Sequence, residues 1–165
     1  MFVLGIDPGL SVTGYAVLSD EARPRAVAAG AIRTDRGDPI EARLAELFRD
    51  VEQLIVEFEP AEMAIEQVFV NRNLQTATSV GRASGVILLA GARAGLPVHE
   101  YTPTAVKMAV AGAGDAAKTQ VQTVVARRLG LGKAPRPADA ADALAIALCH
   151  LQSSSLRRAV ERAAR

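Results

Sequence analysis

Four carboxylates in this chain sit where a carboxylate is costly or crowded. Asp7 closes the apolar run Phe2-Val3-Leu4-Gly5-Ile6 and opens an Asp7-Pro8-Gly9 turn, and Glu66 closes a second apolar run, Met63-Ala64-Ile65. An ionised group at the end of a buried strand needs water or a partner. Asp139 and Asp142 lie three apart in the Ala-rich stretch Ala138 to Ala145, a spacing that puts both on one face of a helix. Taken singly, each has a plainer explanation: turn chemistry for Asp7, a strand-end charge reaching water for Glu66, and helix-dipole compensation for the pair. Dipole compensation is worth only about 0.3–1 kcal/mol per acid, while like charges on one face repel. A shared cation turns that repulsion into a ligand set. The four together offer oxygen only, which suits hard cations such as Mg²⁺ or Mn²⁺. Two such ions about 3.5–4 Å apart activate water and stabilise the leaving oxygen in phosphoryl transfer.

Other reactive side chains are few. His99 and His150 are far apart in the chain and match no zinc spacing, so both are assigned structural roles. Cys149 lies inside a helical run and is assigned to the core; as the only cysteine it forms no intrachain disulfide, which fits a reducing cytoplasm.

The elements that must hold the carboxylates can be read from periodicity. Residues 2–6, 13–18 and 26–34 read as three strands of an antiparallel meander joined by short turns. Asp38 reads as the cap of a helix with Pro39 at its first position and Glu41 completing a capping box. Leu44, Leu47, Val51, Leu54, Ile55 and Phe58 repeat at helical spacing through it, and Pro60 ends it. Residues 61–67 form a fourth strand, 76–94 a helix of small residues, and 96–101 a fifth strand. A helical piece starts at Pro103 and is broken by Gly112 and Gly114. Asp115 reads as the cap of a helix to Leu129, and the last helix runs from Ala138 to about Gln152. Residues 1–152 form one domain, and 153–165 a basic, weakly ordered tail. The order predicts an α/β domain, a mixed sheet covered by helices.

With 165 residues, half of them apolar, the chain is long enough for one full core. Aromatics make up only 4%, so that core is aliphatic. No apolar run approaches the roughly 20 residues that span a bilayer, and the N-terminus lacks the basic start of a signal peptide. Net charge is +1, but residues 1–66 carry 6 basic and 13 acidic side chains, and residues 67–165 carry 13 basic and 5 acidic. That asymmetry predicts a basic face in the second half, which suits nucleic acid.

The motifs, taken in order, resemble the RuvC family of Holliday-junction resolvases. Gly5-Ile6-Asp7-Pro8-Gly9 with Thr13-Gly14-Tyr15 is similar to its first motif, and Ala64-Ile65-Glu66-Gln67-Val68-Phe69 to its second. Lys107 to Gly114 and Lys118-Thr119-Gln120-Val121 resemble two lysine motifs, and Ala138 to Ala145 the last carboxylate motif. The likeness runs from about Phe2 to Leu151. It implies an RNase H-like fold with a central mixed five-stranded sheet flanked by helices, a homodimer, and paired nicks in four-way junction DNA. It assigns catalysis and two Mg²⁺ ions, replaceable by Mn²⁺, to Asp7, Glu66, Asp139 and Asp142. Lys107 and Lys118 fall near the scissile phosphate, and Phe69 on a loop at the junction centre, with Arg72 beside it as a further DNA contact. A branch-migration motor is an implied partner.

Two other readings share some of these residues. Asp7-Pro8-Gly9 followed by Gly14 also looks like the first phosphate motif of the actin, Hsp70 and sugar-kinase superfamily, which needs two such domains. A non-catalytic nucleic-acid-binding module would keep the fold, but all four carboxylates are present.

Overall fold

The computed structural model describes residues 1–68, 74–133 and 135–163, with side chains through Ser154. The strands are β1 (Phe2–Asp7), β2 (Val12–Ser19), β3 (Ala26–Arg33), β4 (Glu62–Glu66) and β5 (Val98–Tyr101). The helices are α1 (Ile40–Phe58), α2 (Leu74–Arg93), α3 (Pro103–Ala111), α4 (Lys118–Arg128) and α5 (Ala138–Ala163). The strands form one sheet in the order β3-β2-β1-β4-β5. β1, β2 and β3 pair antiparallel, while β4 and β5 run parallel to β1, so the expected mixed five-stranded sheet is present.

Alternation along the strands divides the core into two layers. Leu4, Ile6, Met63 and Ile65 face α1 and α2, packed with Leu47, Val51, Ala83 and Ile87. Val3, Ala16, Leu18 and Ala64 face the other way, against α3, α4 and α5. Gly5, Asp7, Glu62 and Glu66 share the parity of this second face. The α5 layer is unusually close to the sheet because both sides are small. A Cβ on Gly5 would lie 2.5 Å from the Ala143 carbonyl oxygen, and one on Gly14 would collide with the Asp139 carbonyl. Two glycines thus let the α5 backbone rest directly on β1 and β2. Ala140, Ala141, Ala143, Ala145 and Ala147 are all buried there.

Two helix starts differ from expectation. The Asp38 capping box does not form: Pro39 is the N-cap residue of α1 and no side chain caps it. Asp35 instead accepts from the Gly37 N–H, and the Asp38 N–H donates to the Asp35 carbonyl, so a turn takes up these groups before the helix begins. Asp115 is not a cap either. α4 begins at Lys118 with Ala117 as N-cap, because Ala116 is drawn into the core and its N–H donates to the Ala113 carbonyl. α3 starts as expected at Pro103, where the Thr102 hydroxyl accepts from the Ala105 N–H, and stops at Gly112 with φ 77°. α5 continues to Ala163, past the end expected near Gln152. No helix among the described residues is long and apolar enough to cross a membrane.

Candidate active site

Asp7 and Glu66 are brought together by register. β1 and β4 pair in parallel through Ile6↔Ile65, so the next residue of each strand is one of the two acids. Both side chains lie on the α5 face. The turn after Asp7 is closed by Thr13, which is buried and whose hydroxyl donates to the Gly9 carbonyl across 2.5 Å. Gly9 is required there, since a Cβ would strike the Val12 carbonyl.

α5 supplies the other two acids. Gly14 is the β2 partner of Asp7, and the Asp139 backbone sits on Gly14. The same contact that seats the helix therefore sets the first turn of α5 over the end of β1. Asp7, Glu66 and Asp142 line one cavity of about 320 Å³ with Lys107 and Lys118. Asp139 does not line this cavity, but its charge reaches Asp7.

Crowding shows in the ionisation of these groups. Burial, and then repulsion from Glu66, Asp142 and Asp139, push the Asp7 carboxyl up to about 7. Burial first and Asp142 second also raise Glu66, against the pull of Lys118 and Lys107. Lys118, at the start of α4, donates to Asp142 Oδ2 across 2.5 Å. That hydrogen bond is the main reason its ammonium is held above the ordinary lysine range. The turn leading to Lys118 is tight, because Gly114 packs where a Cβ would lie 2.7 Å from Thr104 Cγ2. Phe69 and Arg72 lie outside the described residues.

Cys149 is buried as expected, and burial raises its thiol. The two histidines read as separate structural residues are in fact neighbours, with ring centroids 4.8 Å apart and Glu62 against both. This cluster was missed because it depends on the Ala64↔His99 register and on the path of α5. The one local signal was that Glu62 shares the parity of Glu66 along β4.

The family model described as "Crossover junction endodeoxyribonuclease RuvC" matches residues 3–150. A relative of that name from Syntrophomonas wolfei is 47% identical over 165 residues, covering 99% of this chain and 96% of its own. One from Moorella thermoacetica is 48% identical over 159 residues, covering 96% and 95%. Thermus thermophilus RuvC, solved in complex with Holliday junction substrate, superposes with a TM-score of 0.89 at 39% identity, covering 94% of this chain and 96% of that one. The yeast mitochondrial Holliday junction resolvase Ydc2 shares the fold, with a TM-score of 0.64 at 14% identity, over 93% of this chain and 80% of its own. The architecture is thus the RNase H-like one, and the two-domain kinase reading is set aside. By family match, relatives and fold alike, this chain belongs to the RuvC family of crossover junction endodeoxyribonucleases.

Proposed function

We propose that this protein resolves four-way DNA junctions by paired symmetric nicks, with divalent ions held by Asp7, Glu66, Asp139 and Asp142. The observation that carries the reading is the cleft itself. Three of these acids converge with two lysines in a cavity open to a phosphate, inside a chain of the RuvC family. The acids fit a cation on the chemistry of the donor set: all donors are oxygens, and burial together with their mutual repulsion drives Asp7 up to about 7. Mg²⁺, with Mn²⁺ as a substitute and two ions per site, suits such a set. When bound, such ions supply a Lewis acid and an activated water at the phosphorus.

The chain's own residues divide the remaining work. Asp7 and Glu66 are fixed by strand register, and Asp139 and Asp142 by the seat of α5, so the ligands are preorganised and repel one another until neutralised. Lys118 neutralises Asp142. A DNA phosphate offers it a second anionic partner, and its ammonium then faces the charge that grows on the non-bridging oxygens. Lys107, also lining the cleft, holds the strand. Phe69 is assigned to stacking on an unpaired junction base, which is worth about 1–3 kcal/mol, with Arg72 as a backbone contact. A two-fold junction presents two equivalent phosphates, which a homodimer meets with two equivalent clefts. Residues 1–152 form the resolvase domain, 153–165 serve as a basic tail, and a branch-migration motor is a partner, all acting in the cytoplasm.

The test is nicking in Mg²⁺ on a four-way junction, a duplex and an RNA–DNA hybrid, with wild type and Asp7→Asn. Symmetric nicks only in the junction, lost in Asp7→Asn while gel-shift binding persists, are expected. Equal cutting of the hybrid would point instead to a ribonuclease. Junction binding without nicking by the wild type would point to a non-catalytic module.

A further inference from the structure

β4 carries a glutamate at each end of its α5-facing side. Glu66 belongs to the carboxylate cleft. Glu62, four residues earlier, lies about 13 Å away at roughly 3.3 Å per residue. α5 runs antiparallel along this seam and places His150 eight residues beyond Asp142, about 12 Å on. The far end of the seam thus repeats the pairing of a β4 glutamate with an α5 side chain, with imidazole in place of carboxylate. β5 adds His99, beside Ala64 in the register.

Both imidazoles address the same oxygen. His150 Nε2 lies 2.9 Å from Glu62 Oε2, and His99 Nε2 lies 3.0 Å from it. One donor atom from each of the three residues falls within 4.8 Å of the others. Ligands about 2.1 Å from a shared tetrahedral ion stand about 3.4 Å apart, so small side-chain movements bring the three into range. The burial is graded in a way that suits ion entry. His150 is sealed, with 1% of its side chain exposed, whereas Glu62 and His99 expose 26% and 28%. One face of the cluster therefore remains open to solvent for a water ligand.

The orientation of the deepest ligand is already fixed. Tyr101 Oη lies 2.9 Å from His150 Nδ1, leaving Nε2 turned toward Glu62. A hydrogen-bond partner on the remote ring nitrogen is the usual companion of a metal-binding histidine. The tyrosine hydroxyl can donate to Nδ1, which puts a proton on Nε2 for the carboxylate. It can also accept from Nδ1–H, which frees the Nε2 lone pair for a cation.

We propose that Glu62, His99 and His150 form a second cation site, separate from the carboxylate cleft, that takes an imidazole-favouring divalent ion of the Zn²⁺ class with water as fourth ligand. Its nitrogen content separates it chemically from the oxygen-only cleft. It ties the start of β4, the edge strand β5 and the middle of α5 together. Its role is to clamp the fold, with no part in the nicking reaction.

The experiment uses the full chain, stripped with chelator and then given Zn²⁺ in excess Mg²⁺, so that Mg²⁺ occupies the oxygen-only cleft. We expect one Zn²⁺ per chain to survive gel filtration, with a melting temperature several degrees higher. Glu62→Gln and His99→Gln, each melting near wild type in chelator, should weaken Zn²⁺ binding by more than about 100-fold, and Tyr101→Phe by about 10-fold. Asp142→Asn should retain the ion. Co²⁺ added to the wild-type chain in Mg²⁺ should give the intense visible absorption of a tetrahedral site, a readout that needs no variant. An octahedral Co²⁺ spectrum, no retained Zn²⁺, or retention that is lost in Asp142→Asn and unaffected by Glu62→Gln would overturn the proposal. In each of those cases the three residues are simply a proton-bridged pairing.

Discussion

Lys118 donates to Asp142 across 2.5 Å, so the cleft carries a cation of its own on the residue expected to bind metal. The pair is more than half exposed on the lysine side, so it is a replaceable contact of little stabilising value.

From this pairing, Lys118→Ala has two opposite effects. Loss of the competing ammonium should lower the Mg²⁺ concentration needed for half-maximal activity. Loss of a charge facing the transition state should slow single-turnover cleavage at saturating Mg²⁺ by about 10²-fold. An unchanged maximal rate, with weaker junction binding, would reduce Lys118 to a backbone contact.

Asp7 gives a pH dependence whose sign is set by its raised ionisation. An acid of folded value about 7 and ordinary value 3.8 favours the folded state while protonated. That favourable contribution is fully present below about pH 4 and is lost as pH rises through 7. In chelator, Asp7→Asn should therefore melt with wild type at the acid end. It should become the more stable protein as pH climbs, with the gap level above about pH 8. Saturating Mg²⁺ should close the gap at pH 8 by stabilising wild type alone. Parallel melting curves across this range would mean that burial and the neighbouring acids do not raise Asp7.

Gly14→Ala tests the seat of α5. The new methyl meets the Asp139 carbonyl, a backbone atom that no rotamer change can move. We expect a loss of about 1–3 kcal/mol in urea unfolding and, in protein still folded, a large drop in nicking. Ala at Gly81, where nothing lies within 4 Å of the added carbon, should cost no such packing penalty. Full activity in Gly14→Ala would show that α5 can lift without consequence.

Small residues at Gly81, Ala83, Ser84 and Gly85 make α2 a candidate for close helix approach in a dimer. Ala83 and Ser84 turn out to be buried within the chain's own fold, so they are not available to a partner. Gly81 and Gly85 are exposed and lie in line with Leu89, itself 53% exposed. Leu89→Glu should therefore shift sedimentation toward the monomer at micromolar concentration with little change in melting of the monomer. A dimer that persists would place the interface elsewhere.

The cleft was legible because its signals are local. Asp7 and Glu66 each terminate an apolar run, and Asp139 and Asp142 share a helix face, so three short windows pointed to it, although Asp139 itself does not line the cavity. The sheet was legible for the same reason, with strand boundaries off by one or two residues. Helix caps misled where a neighbouring residue sets the turn: Asp35 takes up the turn before α1, and burial of Ala116 starts α4 after Asp115. The Glu62–His99–His150 cluster was illegible because its members come from three elements and meet only through strand register and the antiparallel course of α5.

The contact of Gly5 and Gly14 with the α5 backbone has a mechanical meaning. At these two positions main chain rests on main chain, and the side chains beside them on α5 are mostly alanines, so little lies between sheet and helix to act as a cushion. β1 and β2, the β4 strand paired to β1, and the first turns of α5 therefore form one stiff jaw that keeps its four acids in fixed relation. The opposite jaw is α3 and α4, which carry Lys107 and Lys118 and are joined through Gly112, Gly114 and a short turn. Adjustment to an incoming strand is expected to fall to that second jaw: the half that carries the lysines can yield, while the half that holds the acids stays in register.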